Sequence, residues 1–223
     1  MNEVEAKFSV HRPDSLERAA RLKILGPFRW IKSGRQKQWN RYWDTADRRL
    51  HRARAALKLR RVGRRAEMTF KQELRYRNGV SERIEVTAPV SLPAGRQVPG
   101  EAGIRRLLER RPFIPPVRRA RALIGRRPLQ EVLCLRTDRR IRWFAVDRRA
   151  AAGVELALDR VEVLQDGRVV GAFCEIELEK RGAKERVFRH AVLDLRRRLG
   201  SGVRVSRTPK YGTALHLLQL EKR

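Results

Sequence analysis

Cysteine is almost absent from the sequence, which has only Cys134 and Cys174 among its 223 residues. Two isolated cysteines cannot build a disulfide framework, so we predict a protein of the reducing cytoplasm. The sequence also has only four histidines, and none lies at metal-binding spacing from a cysteine. This scarcity argues against a zinc site made of cysteine and histidine.

Long apolar runs are missing as well. No segment approaches the roughly 20 apolar residues that a membrane-spanning helix needs, so we expect no membrane span. The opening residues Met1–Glu5 are acidic and lack the basic-then-apolar order of a secretory signal. The glycine-rich loop of P-loop enzymes, with four residues between two glycines and a lysine directly after the second, does not occur either.

Negative charge is scarce relative to positive charge. The chain has 54 Lys and Arg against 25 Asp and Glu, which gives a formal net charge of +29. A surplus of this size indicates a polyanionic partner such as nucleic acid, a phosphate ligand or an acidic membrane surface. The length suits one large domain or two small ones. A segment rich in proline and glycine at 89–100 is either a linker or a crossover within one sheet, and we predict a single domain over residues 1–223.

Alternation of charged and apolar residues is the main structural signal, because a strand exposes every second residue on the same face. Eight alternating runs occur, at residues 3–8, 41–45, 56–61, 67–71, 81–87, 131–145, 154–164 and 172–180. Helical patterns occupy 14–25, 101–110, 116–125 and 183–199, and a short helix is expected near the C-terminus. Asp14 and Glu17 have capping-box spacing, and Gly200 is a typical C-cap. Eight strands with one polar face can close into a barrel with a polar lumen.

The charges on these strands are segregated by sign. Glu175, Glu177 and Glu179 share one strand face, where uncompensated carboxylates repel one another and their pKa values rise. For any single strand, a solvated charged face is the alternative. Taken together, rows of carboxylates that face rows of Lys and Arg are typical of a site that binds divalent cations and a polyanion. Mg²⁺ and Mn²⁺ prefer oxygen ligands, and Arg and Lys bind phosphate.

Short motifs along the chain carry a resemblance to a known family. They are Glu3-Val4-Glu5-Ala6-Lys7, Tyr42-Trp43-Asp44-Thr45, Leu57-Lys58-Leu59-Arg60, Thr69-Phe70-Lys71, Arg83-Ile84-Glu85, Thr137-Asp138-Arg139-Arg140, the strand Glu155–Asp159, the strand Glu175–Glu179, and Pro209-Lys210-Tyr211-Gly212. In this order they resemble the CYTH domain of the triphosphate tunnel metalloenzyme superfamily. The resemblance extends from about residue 3 to residue 215.

The resemblance implies an α+β fold, an eight-stranded antiparallel β-barrel that forms a tunnel open at both ends, with flanking helices. It also assigns residues to three roles. Substrate phosphates would be bound by Lys7, Lys58, Arg60, Lys71, Arg83, one of Arg139 and Arg140, and Lys210. Metal ions would be held by Asp159, Glu175, Glu177 and Glu179, and by Glu3 and Glu5. The candidate catalytic residues are Glu3, Glu5 and Lys7, of which the two glutamates serve a second metal or orient the attacking water.

The resemblance further implies metal-dependent hydrolysis of a triphosphate, with Mg²⁺ or Mn²⁺ as cofactor and inorganic triphosphate as the first choice of substrate. Thiamine triphosphatase and class IV adenylate cyclase activities are alternatives within the enzyme class. A barrel that binds polyphosphate or RNA without hydrolysis is an alternative from another class. The tunnel needs only about seven cations, so the surplus positive charge outside it is a further candidate for binding polyphosphate or RNA.

Overall fold

The computed structural model describes residues 2–92, 106, 108, 114–147, 152–165 and 167–218. The strands in these ranges are β1 (Asn2–Val10), β2 (Ile24–Leu25), β3 (Phe28–Asp44), β4 (Ala55–Val62), β5 (Arg65–Arg77), β6 (Val80–Pro89), β7 (Gln130–Ala145), β8 (Gly153–Gln165), β9 (Arg168–Arg181) and β10 (Val203–Val205). The helices are α1 (Asp14–Arg21), α2 (Arg49–Arg52), α3 (Pro115–Ile124), α4 (Glu185–Leu199) and α5 (Lys210–Leu217).

Eight strands close into a barrel. Their order around the wall is β1, β6, β5, β4, β3, β7, β8 and β9, and β9 pairs with β1 again. Every pairing in this ring is antiparallel. The short strands β2 and β10 extend the sheet beside β3 and β1. The predicted α+β fold, an eight-stranded antiparallel barrel with flanking helices, is therefore confirmed.

The apolar core lies mainly between the barrel wall and the helices outside it. On one side Phe8, Leu156 and Ile176 point outward from the wall and pack under α1 and α4. On another side, Leu57 and Phe70 point outward and pack with residues of α3. Because alternate residues of a strand face opposite ways, burying these side chains outside turns their charged neighbours into the lumen.

Helix α5 packs against the inner face of the wall at one end of the barrel. Its Tyr211, Ala214 and Leu215 form a buried cluster with Tyr42, Leu133, Leu135, Val161 and Val163. The inner face at this end is therefore apolar, unlike the charged inner face further along. The packing also places Lys210, the first residue of α5, beside the charged part of the lumen.

Several local predictions need correction or lie outside the described residues. The strand predicted at 41–45 is only the last part of β3, and α1 ends at Arg21 rather than at residue 25. The predicted capping box at Asp14 is wrong, because Pro13 is the N-cap and Glu17 instead pairs with Arg140. Gly200 is confirmed as the C-cap of α4. Residues 93–100 of the linker segment, and the helix at 101–110 except residues 106 and 108, lie outside the described residues.

Among the described helices, none combines the length and the apolar character needed to cross a membrane.

Candidate active site

A cavity of about 1400 Å³ runs inside the barrel. Every strand of the ring contributes to its lining, and so does α5 through Lys210 and Tyr211. The lining includes Trp143 and Glu155 near one end of the barrel and Arg54 and Arg207 near the other. The closure of the sheet therefore gathers side chains that are more than 200 residues apart in the sequence around one enclosed space.

Three carboxylates form a cluster in the wall of this cavity. One carboxylate oxygen from each of Asp159, Glu175 and Glu177 lies within 4.8 Å of the other two. Asp159 on β8 stands directly opposite Glu175 on β9, and Glu177 follows on the same face of β9. The antiparallel register therefore produces the cluster that the sequence motifs predict for a metal site.

Two lysines contact this carboxylate cluster. The Nζ atom of Lys210 lies 2.8 Å from Oδ2 of Asp159 and 2.7 Å from Oε1 of Glu177, and it also pairs with Glu175. The Nζ atom of Lys7 lies 2.9 Å from Oε1 of Glu177 and 3.4 Å from Oε1 of Glu175. Both lysines are predicted phosphate ligands, and the structure places them in direct contact with the predicted metal ligands.

Arg139 completes the ring of cations around the cluster. Its guanidinium donates two hydrogen bonds to Asp159, at 2.8 and 2.7 Å, and approaches Glu177 at 2.5 Å. Its neighbour Arg140 points to the outside of the barrel, where it donates to Glu17 of α1 at 2.9 Å. The structure therefore selects Arg139 as the lumen residue, and the prediction that included Arg140 among the substrate ligands is corrected.

The surrounding charges set the protonation of the cluster. Burial alone raises the pKa of Glu177, but Lys210, Lys7 and Arg139 together hold that pKa well below its usual range. Burial raises the pKa of Glu175, and the two lysines offset only part of this effect. The cluster thus combines a strongly ionised carboxylate with one that has a higher proton affinity.

The predicted catalytic glutamates of β1 lie outside the three-carboxylate cluster. Glu3 lines the cavity, and both of its oxygens accept hydrogen bonds from Nζ of Lys71, at 2.7 and 2.6 Å. Glu5 is buried and forms an ion pair with Arg83. Lys71 also lies 3.1 Å from Glu85 of β6. The β1 glutamates thus belong to a second charged layer, formed with β5 and β6.

Glu179 is also separate from the cluster, although its motif predicts a metal ligand. Its Oε1 lies 2.8 Å from Nη1 of Arg181, and the residue faces Glu155 and Glu5 on the neighbouring strands. Burial and the nearby Glu3 carboxylate raise the pKa of Glu179 to about 8. Glu179 therefore lies in an acidic part of the lumen that is separate from the three-carboxylate cluster.

Lys58 differs from the other lumen cations. It is buried and lines the cavity, yet among the described residues it forms no ion pair. Burial, followed by the positive charges of Arg60 and Lys71, lowers its pKa well below the usual lysine value. Arg60 itself donates to Oδ1 of Asn40 at 3.1 Å. Arg60 also lies 3.6 Å from Oε1 of Glu67, so on this side of the lumen it is Lys58 that has no ion-pair partner among the described residues and is suited to binding an anion.

Sequence reasoning missed part of the lining. The amides Gln36, Gln38 and Asn40 of β3 face the lumen, and Trp143 lies four residues beyond Arg139 on β7. The period-two spacing of the three amides was the signal that could have identified them. It is easily missed, because their outward neighbours Lys37 and Trp39 do not form an apolar row.

Comparison with known proteins agrees with this geometry. The profile of the CYTH domain matches residues 1–204. The chain belongs to the CYTH domain family. No curated protein matches it at a significant level.

Solved structures show the same fold as this CYTH domain. A candidate adenylyl cyclase of Hippeastrum, described as having a dominant triphosphatase activity, is 20% identical with a TM-score of 0.69, covering 96% of this chain and 95% of that one. A candidate adenylate cyclase of Bacillus halodurans is 21% identical with a TM-score of 0.52, covering 94% of each chain. The PH1819 protein of Pyrococcus horikoshii is 19% identical with a TM-score of 0.54, covering 99% of each. At these identities the similarity establishes the fold alone.

CYTH tunnel enzymes generally depend on a divalent metal, and the residues of this CYTH domain fit one. Asp159, Glu175 and Glu177 offer three carboxylate oxygens close enough to share an ion. Oxygen-only donor sets suit Mg²⁺ and Mn²⁺. The ammonium group of Lys210 contacts all three carboxylates, so the cluster already accommodates a positive charge at that point.

Proposed function

We propose that this CYTH domain hydrolyses triphosphate substrates with Mg²⁺ or Mn²⁺, with inorganic triphosphate as its first substrate. The observation that carries the proposal is the direct contact between a three-carboxylate cluster and three cations in one enclosed cavity. Phosphoryl transfer depends on positioning and on neutralising phosphate charge, and this arrangement supplies groups for both.

The carboxylate cluster would hold the metal. When bound, Mg²⁺ or Mn²⁺ would neutralise part of the charge on the substrate phosphates. Lys7, Arg139 and Lys210 are paired with the same carboxylates, so they would be released to pair with phosphate oxygens instead. The site would thus exchange internal ion pairs for contacts with the substrate.

The opposite side of the lumen supplies further phosphate ligands. Lys58 can bind phosphate without first breaking an ion pair, because it forms none with the described residues. Arg60, two residues further along β4, presents a planar guanidinium. Lys71 would leave Glu3 when it binds phosphate. Glu3 lines the cavity, and its freed carboxylate would orient the attacking water for in-line displacement at the terminal phosphorus.

One feature of the lining favours an organic triphosphate as the second candidate. Ile141 and Trp143 continue the inner face of β7 beyond Arg139, and Trp143 lies roughly 13 Å from Arg139 along the strand. An aromatic side chain at that distance can stack on a ring attached to the triphosphate. This observation supports thiamine triphosphatase or class IV adenylate cyclase activity as the alternative. A binding module without hydrolysis has less support, because polyanion binding does not need buried carboxylates.

The test is a substrate comparison with one inactive control. Phosphate release is measured with tripolyphosphate, ATP, thiamine triphosphate and long-chain polyphosphate, in Mg²⁺ and in Mn²⁺, for the wild type and Glu177→Gln. We expect the fastest turnover with tripolyphosphate and its loss in the variant. Formation of cyclic AMP and pyrophosphate from ATP would establish the cyclase instead. Tight binding of these compounds without turnover of any of them would contradict an enzymatic function.

A further inference from the structure

The charge of the lumen is nearly balanced, so the tunnel does not account for the net charge of the protein. Its central cations are Lys7, Lys58, Arg60, Lys71, Arg83, Arg139 and Lys210, and its central carboxylates are Glu3, Glu5, Glu85, Asp159, Glu175, Glu177 and Glu179. These two sets cancel formally. Toward the ends of the cavity, Arg54, Lys180, Arg181 and Arg207 outnumber Glu73 and Glu155 by two. Of the net charge of +29, +27 is therefore carried by the rest of the chain.

Part of this surplus is concentrated on the outer surface of α4, which packs beside α1. On α4 the exposed positions Arg186, Leu193, Arg196 and Arg197 follow helical spacing, so they share one face about 16 Å long. Exposed Arg18 of α1 donates to the backbone oxygen of Arg198 at 2.5 Å, which ties the two helices together. We call this surface, with Arg18, Arg21, Arg186, Arg196 and Arg197 exposed on it, the α1–α4 face.

Asp14 and Glu17 of α1 formally balance Arg18 and Arg21, so the excess positive charge of this face comes from α4. Glu185 pairs with Arg189, and buried Asp194 accepts hydrogen bonds from Arg197 and Arg198. Arg186 and Arg196 have no carboxylate partner among the described residues. The apolar sides of both helices are buried against the barrel, so the arginines are held on a rigid support.

The chemistry of the face identifies its partner. Arginines spaced along a rigid helix suit a polymer with regularly spaced phosphates. Proteins that bind single strands usually add aromatic side chains on which bases stack. The aromatic residues of α1 and α4 are Phe188, which is fully buried, and His190, which is exposed among the arginines. The two helices therefore expose a single imidazole and no Phe, Tyr or Trp ring, so the face offers mainly phosphate contacts, as expected for binding to a duplex backbone.

We propose that the α1–α4 face binds the phosphate backbone of a nucleic-acid duplex without regard to base sequence. The surface lies on the outside of the barrel wall, whereas the proposed hydrolysis takes place in the lumen. Binding to the face is therefore independent of the proposed catalytic site.

The experiment compares two variants with the same loss of charge. The first, Arg186→Gln/Arg196→Gln/Arg197→Gln, removes three arginines from the α1–α4 face. The control, Arg64→Gln/Arg65→Gln/Arg77→Gln, removes three exposed arginines from the β4–β5 turn and the end of β5. Binding of a short RNA duplex and of the corresponding DNA duplex is measured by fluorescence anisotropy between about 50 and 200 mM salt.

We expect the wild type to bind both duplexes with an affinity that falls steeply with salt, because neutralised phosphates release counterions. The face variant should bind at least about tenfold more weakly, and its log–log salt slope should be shallower by about 2 to 3, as expected for three lost phosphate contacts. The control variant should change affinity less than about twofold. Tripolyphosphate hydrolysis should be unchanged in the face variant.

Four results would overturn the proposal. Equal losses in both variants would mean that net charge alone drives binding. Binding of RNA but not DNA would show recognition of more than the phosphate backbone. Preference for long-chain polyphosphate or for anionic lipid vesicles over the duplexes would assign the face to another polyanion. Absence of duplex binding by the wild type at the lowest salt concentration would leave the face without this function.

Discussion

The hydroxyl group of Tyr211 donates a hydrogen bond to the carboxylate of Asp44 across 3.2 Å. Asp44 is fully buried and also accepts hydrogen bonds from three backbone N–H groups, those of Thr45, Leu50 and His51. The Tyr211 ring stacks on Tyr42, with 5.1 Å between the ring centres. Because Lys210 directly precedes Tyr211, this anchor fixes the start of α5 and with it the lysine that contacts the carboxylate cluster.

The first prediction tests this anchor with Tyr211→Phe. The substitution keeps the stacked ring but removes the O–H donor, so we expect a loss of about 1 kcal/mol in unfolding free energy, or about 2–4 °C in melting temperature. Looser placement of Lys210 should also raise KM for tripolyphosphate several-fold. Tyr76→Phe is the matched control, because Tyr76 lies near the protein surface and contacts Arg207 through its ring. Equal KM values for the two variants would contradict the anchoring role.

Much of the site followed from the sequence because strand alternation is a local property. Glu175 and Glu177 share a face wherever β9 lies, and burial of Ile176 outside the barrel fixes which face that is. The choice between Arg139 and Arg140 depended on which face of β7 turns inward, and the residues around them do not encode this, because charged side chains occupy both faces of the strand there. Only the structure therefore places Arg139 in the lumen.

The second prediction concerns removal of metal. Excess chelator should abolish tripolyphosphate hydrolysis, and added Mg²⁺ or Mn²⁺ should restore it. The reason is that Asp159, Glu175 and Glu177 otherwise retain Lys7, Arg139 and Lys210 in internal ion pairs. Phosphate release is measured before and after the metal is returned. Undiminished turnover in chelator would mean that the carboxylate cluster is not a metal site.

The third prediction compares two glutamates on neighbouring strands. Glu177 contacts Lys7, Arg139 and Lys210 in the lumen, whereas Glu162 lies on the outer surface and pairs with Arg136. Glu177→Gln should lower kcat/KM for tripolyphosphate by roughly 100-fold or more, because it removes a charge at the reacting centre. Glu162→Gln should stay within about twofold, as expected for an exposed ion pair. Comparable losses in two folded variants would mean that the lumen and the outer surface are wrongly assigned.

The sequence patterns could not predict contacts between elements that are far apart in the chain. The alternation of β8 places Val161 and Val163 on the same face as Asp159, but it does not indicate that an apolar helix covers them. Helix α5 supplies that cover because Tyr211 and Leu215 bury apolar surface that the strands present there. The C-terminal motif could be matched to a family pattern, yet its position against the inner wall depends on packing between parts of the chain far apart in sequence. The prediction of a cytoplasmic location stays a prediction.

The last prediction concerns Lys58, which has no ion-pair partner within the described ranges of the chain. Its pKa is well below the usual value because of burial and the neighbouring charges of Arg60 and Lys71, so part of the free protein carries a neutral lysine at alkaline pH. A bound triphosphate favours the charged form of Lys58 and raises the pKa of this residue, so binding takes up a proton. The affinity for triphosphate therefore falls as the pH rises from the pKa of Lys58 in the free protein toward its pKa in the complex. We expect isothermal titration calorimetry in buffers of different ionisation enthalpy to show this uptake for tripolyphosphate. Lys58→Met should remove the uptake due to residue 58 and weaken binding, while Lys58→Arg should retain binding at high pH because arginine stays charged. Titration of tripolyphosphate itself contributes equally to binding by the wild type and by Lys58→Met, so it drops out when the two pH profiles are compared. Identical profiles for the two proteins would show that Lys58 does not bind the phosphates.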